Sequence, residues 1–91
     1  MVGRGDLGKV LEYVNEVRDQ YGLPGRLAEL RRGEIGSAHS CPIATSLDRE
    51  FAFVGSYLRH DKDREVITCP DFMERFQRDF DGGAYPELVS E

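Results

Sequence analysis

The sequence predicts a small α+β domain. Two apolar stripes at helical spacing lie near the ends of the chain. Between them is an aromatic and β-branched run, a charged turn and a second short apolar run. Glycine or proline punctuates nearly every boundary between these segments. The chain has 91 residues, 40% of them apolar, enough for one hydrophobic core and too few for two.

Residues 1–5 read as a flexible leader. Residues 6–21 read as an amphipathic helix, with Leu7, Val10, Leu11, Val14, Val17 and Tyr21 at spacings of three and four. Asp6 is placed to cap its free amides, Gly22 to end it, and Pro24 to keep it from resuming. Glu12, Glu16, Arg18 and Asp19 fall on its expected solvent face. Residues 26–32 are a short helical candidate with Leu27 and Leu30 inward, stopped by Gly33. Residues 34–40 form a loop. Residues 42–48 are a second short helix, because Pro42 suits a first helical position where its missing N–H costs nothing.

Residues 51–58 read as one strand, with Phe51, Phe53 and Tyr57 on one face and Ala52, Val54 and Leu58 on the other. Residues 59–64 are a charged turn, with His60 at its exposed tip, and residues 65–69 return to complete a β-hairpin. Residues 70–81 repeat the Cys-Pro helix start and carry Phe72, Met73, Phe76 and Phe80 as an apolar stripe. Gly82-Gly83 stops this helix, and residues 82–91 form a tail that folds back on the core. A lone hairpin is marginal in water, so this one packs against the first and last helices.

The net charge is −5, and its distribution is uneven. Residues 1–60 carry eight basic and eight acidic side chains, residues 61–91 four basic and nine acidic. Such a balance disfavours nonspecific nucleic-acid binding, which needs a concentrated basic face. No apolar run approaches a membrane span, and the N-terminal residues lack the apolar core of a secretion signal. A cytoplasmic location is therefore expected, with Cys41 and Cys69 reduced and buried.

The motif-like strings carry no chemistry. Gly3-Arg4-Gly5-Asp6-Leu7-Gly8 spells a dinucleotide fingerprint, but only Met1 and Val2 stand where its strand is required. His39, Cys41, His60 and Cys69 are potential metal ligands without the close pairs that build a zinc site. The two Cys-Pro pairs are explained by helix starts, without a reactive thiol or haem. Asp61 to Glu65 imitates a calcium loop but has Val66 where glycine is required and Phe72 where the closing glutamate belongs. No catalytic constellation, cofactor or metal site is expected.

Three stretches carry a resemblance: Val14-Asn15-Glu16-Val17-Arg18 through Tyr21-Gly22-Leu23-Pro24, then Cys41-Pro42-Ile43-Ala44, then Phe76-x-x-x-Phe80-Asp81-x-Gly83-x-Tyr85-Pro86-x-Leu88. Together the chain resembles small uncharacterised proteins of actinobacteria and their phages. It differs in lacking extra cysteines before Cys41 and in having Thr68-Cys69-Pro70 where Leu-Pro is commoner. Ten of twelve basic residues are arginine, which agrees with a GC-rich genome. The resemblance implies a phage protein in the host cytoplasm that binds and modulates a host protein. The expected contact residues are Phe51, Phe53, Tyr57 and Arg59 on the first strand, with Arg26, Arg31 and Arg32 as a charged patch. Two alternatives stand beside this: nucleic-acid or transcription-related binding through Arg26, Arg31 and Arg32, and a homodimer formed through the hairpin edge.

Overall fold

The computed structural model describes residues 5–54 and 56–89, with side chains from Leu7 onward. Its elements are helix α1 (Gly5–Gln20), helix α2 (Pro42–Ser46), strands β1 (Phe51–Val54), β2 (Tyr57–His60) and β3 (Val66–Thr68), helix α3 (Asp71–Asp81) and a single 3-10 turn (Pro86–Leu88). The three strands form one antiparallel sheet in the order β1-β2-β3. The α+β class is as the sequence predicts.

Helix α1 starts one residue before the expected cap, taking Gly5 from the expected leader. Residues 1–4 and the Asp6 side chain lie outside the described residues. Val10, Val14 and Val17 are its buried stripe. Gly22 ends it as expected, in the left-handed region (φ 71°). There Gly22 N–H donates to Asp19 C=O and Leu23 N–H to Arg18 C=O, the paired bonds of a glycine C-cap.

Residues 26–32 do not form the expected helix. The side chain of buried Asn15 takes both backbone groups of Leu27, accepting from its N–H at 2.8 Å and donating to its C=O at 3.0 Å. Further along, Ser46 Oγ accepts from Arg31 N–H and Thr45 Oγ1 donates to Arg32 C=O. A two-turn helix has little intrinsic stability, and these tertiary partners hold the segment in an irregular path instead. Gly33 then crosses directly over α2's start. A Cβ there would sit 2.3 Å from the Cys41 carbonyl carbon, so no larger residue fits.

Helix α2 is shorter than the expected 42–48, and all five of its residues are buried. Cys41 is its N-cap, with Sγ accepting from Ala44 N–H at 3.5 Å. Its stop is the left-handed pair Asp48 (φ 57°) and Arg49 (φ 60°).

The largest departure is in the sheet. The expected single strand 51–58 is two strands, because Val54 pairs with Tyr57 across the two-residue connection 55–56. The turn resets the alternation, so Leu58 joins Phe53 on the inner face and Tyr57 joins Val54 on the outer one. The same register sets His60 opposite Phe51 on the inner face, where it is 7% exposed rather than at an exposed tip. The charged turn does follow β2, and β3 is shorter than the expected 65–69.

Helix α3 packs on α1, with Tyr13 and Phe72 edge to face at 6.2 Å. Met73, Phe76 and Phe80 are buried, and Gly82-Gly83 closes the helix. The tail folds back as expected. Tyr85 packs on Phe76 at 4.9 Å, and Gly33 N–H donates to Leu88 C=O at 2.8 Å.

Candidate docking groove and arginine pocket

The site is built outward from Arg18. Val10, Val14 and Arg18 recur every four residues along α1, which places Arg18 on the buried side rather than the expected solvent face. It is 1% exposed. A guanidinium so placed needs every donor matched. Nη1 donates to Ser46 C=O at 2.8 Å and to Asp48 Oδ1 at 2.9 Å, Nη2 to Pro24 C=O, and Nε to Gly25 C=O at 3.3 Å. One side chain thus fixes the 24–25 loop and the end of α2 to α1.

Asp48 also accepts from Arg31 Nη1, which reaches Thr45 C=O at 3.2 Å as well. Partial burial raises the pKa of the Asp48 carboxyl, but the hydrogen bonds and charges of Arg18 and Arg31 outweigh it and hold the group below the ordinary carboxylate range. Arg31 keeps its outer part in solvent, with its side chain 47% exposed.

Two concavities meet at this point. A groove of about 850 Å³ runs between α1, residues 28–32 and the C-terminal turn, with Leu7, Leu11, Leu30 and Leu88 supplying its apolar surface. A shallower pocket of about 460 Å³ is lined by Arg31, Arg32, Thr45, Asp48 and Arg49. Arg31 and Arg32 line both. Among the described residues the exposed side chains of Arg32 and Arg49 have no hydrogen-bond or ion-pair partner.

The expected contact residues are dispersed. Phe51 (0% exposed) and Phe53 (2%) are interior, so neither touches a partner. They pack inward because helices cover the inner face of the sheet. Tyr57 and Arg59 are half-buried on the outer face, beside exposed Val54 and Val66. Arg31 and Arg32 do come together, but Arg26 lies apart, beside Asn15, Glu16 and Asp19. Its place is taken by Arg49, which is distant in sequence and brought in by the turn after α2.

The other chemically capable side chains are held elsewhere. Burial pushes both thiols up, Cys41 inside the core and Cys69 beside Tyr13. His39 is exposed in its loop. His60 Nδ1 lies 3.0 Å from Asp63 Oδ1 and its Nε2 3.7 Å from Glu50 Oε1, and its ring stacks on Tyr21. Among the described residues no group of three or more His, Cys, Asp or Glu converges as a metal site would. No helix among them is long and apolar enough to cross a membrane. The fold and site define a small α+β domain with an apolar groove that opens onto an arginine pocket. No protein-family model matches the chain, and no curated protein or solved structure matches it.

Proposed function

We propose that this chain is a non-enzymatic binding module that docks onto another protein through the leucine groove and the adjoining arginine pocket. In the setting that the resemblance implies, that protein belongs to the actinobacterial host of a phage and the encounter takes place in its cytoplasm. One observation carries the reading: Arg31 and Arg32 are walls of both the groove and the pocket, so apolar and charged recognition are contiguous. Interfaces combine these features, an apolar anchor surface flanked by arginine. Hydrogen bonds from Arg31 to Ser46 and Asp48, and from Thr45 to Arg32 C=O, fix residues 31–32 in advance, which lowers the ordering cost of binding.

The alternatives have less support. Nucleic-acid binding through Arg26, Arg31 and Arg32 loses one member of its cluster to another part of the surface. For a homodimer, the sheet edge at β3 is three residues long and lies between a charged turn and Pro70, features that discourage strand addition.

Site-specific photo-crosslinking tests the proposal. A photoreactive phenylalanine analogue at Ala28, an exposed groove residue, is expected to capture one host protein, and the same analogue at Lys62 on the charged turn is not. The captured protein, purified, must bind the unmodified chain. Equal capture from both positions would sink the groove as the docking surface.

A further inference from the structure

We infer that the element this surface recognises is an acidic protein segment bearing an apolar anchor residue, with the anchor in the leucine groove and carboxylates on Arg32 and Arg49. The inference rests on the binding reading above and specifies the partner's chemistry.

The charge balance of the two concavities separates their roles. Around the groove, Arg31 and Arg32 are matched in number by Glu29 and Glu87. The groove therefore has no net preference for either sign, and its selectivity comes from leucine surface. The pocket is different. Three guanidinium groups line it against the single carboxylate of Asp48. That carboxylate already accepts from Arg18 and Arg31, so it is committed inward. What the pocket offers an incoming group is Arg32 and Arg49, unpartnered among the described residues, and the exposed outer part of Arg31.

A guanidinium presents N–H donors in a planar fork that matches a carboxylate, and two such groups a short distance apart suit consecutive or near-consecutive acidic side chains. The excess negative charge of the chain lies in residues 61–91, so an acidic segment is repelled there and favoured at the pocket. The leucines add what a polyanion would not use. A nucleic-acid backbone gains little from an aliphatic groove, because bases favour aromatic stacking surfaces and the groove supplies none.

Fluorescence anisotropy with labelled probes tests this. The probes are a synthetic peptide alternating Leu with Asp and Glu, its Asn/Gln counterpart, an acidic Gly/Ser peptide without leucine, and a single-stranded oligothymidylate. The acidic leucine peptide is expected to bind saturably, and the other three at least about tenfold more weakly, the worth of one charge-assisted contact or one buried aliphatic side chain. The double variant Arg32→Gln/Arg49→Gln is expected to lower that affinity by about tenfold or more with an unchanged melting temperature, since neither side chain has a partner to lose among the described residues. Ala28→Trp, which fills the groove without removing packing, is expected to abolish binding.

The outcomes are separable. If the Asn/Gln peptide binds as tightly as the acidic one, and Ala28→Trp blocks both, the acidic specificity is wrong and the groove reading stands. If Ala28→Trp leaves binding of the acidic leucine peptide unchanged, the groove reading falls as well. Tighter binding of the oligothymidylate would make the pocket a phosphate reader and overturn the proposal. No saturable binding of the acidic leucine peptide would also overturn it, while the crosslink from position 28 judges the groove independently.

Discussion

Two polar clusters tie distant parts of this chain together, and they differ in how far they are removed from water. In the first, Arg18 is buried and donates to three backbone carbonyls and to Asp48. In the second, His60 lies under the Tyr21 ring at the end of the sheet, and its partners Glu50 and Asp63 are exposed enough to be hydrated. Tyr21 O–H donates to Glu65 nearby, also on the surface. Both clusters join α1 or its end to later segments, but Arg18 is 1% exposed and one of its acceptors belongs to fully buried Ser46, whereas both carboxylate partners of His60 lie at the surface. Removing a buried charge strands the groups bonded to it, whereas at exposed partners solvent can replace the lost contact.

The largest effect is expected at Arg18. Arg18→Met keeps much of the side-chain volume but leaves the Pro24, Gly25 and Ser46 carbonyls without their donor. A loss of about 3–5 kcal/mol is expected in urea unfolding, a large share of what so small a domain has. Arg18→Lys should restore only part of it, since one ammonium cannot reach all four acceptors.

Acid probes the same cluster. Because the Asp48 carboxyl is held below its ordinary range in the folded state, its contribution is complete above about pH 4 and is lost as pH falls toward the folded value. Urea midpoints measured from neutral pH downward should show this decline, and Asp48→Asn should flatten it.

At the second cluster the effects should be smaller. His60→Phe preserves the packing between Tyr21 and Phe51 and gives up only contacts to hydrated carboxylates, so a change within about 1 kcal/mol is expected. A loss as large as that of Arg18→Met would erase the distinction between the two regions. The smallest effect belongs to Tyr21→Phe, about 0.5 kcal/mol at neutral pH. The Tyr21 hydroxyl still reports its environment: the hydrogen bond to Glu65, then burial, then that carboxylate's charge push its pKa up to about 12. Stability from this group is therefore present below about pH 10 and lost as pH rises toward the folded value. Ultraviolet titration should show ionisation returning toward the ordinary range in Glu65→Gln.

The candidate site was only partly readable in the residues. Arg31 and Arg32 are adjacent in sequence and stayed together, while Arg26 was separated from them by the clamp of Asn15 on Leu27. Arg49 could not be anticipated as their neighbour, because its position follows from the left-handed turn after α2. Leu7 and Leu11 were visible as an apolar stripe. That they flank an open groove instead of filling the core depends on what the tail and residues 28–32 leave uncovered. Arg18 did have a signal, its four-residue spacing from Val14, but charge alone suggested solvent. Phe51 and Phe53 read from the sequence as either contact surface or core, because aromatic character marks both, and their burial makes them core.

Local sequence was enough to set the α+β class, helices α1 and α3 with their glycine stops, the proline-led start of α2 and the folded-back tail. These depend on local rules: side-chain periodicity, free amides at helix ends, and backbone angles only glycine adopts easily. Tertiary packing settled that residues 26–32 form no helix, and which leucines and arginines share one surface. Those outcomes depend on hydrogen-bond partners and coverage supplied from distant segments, and no window of neighbouring residues contains that information.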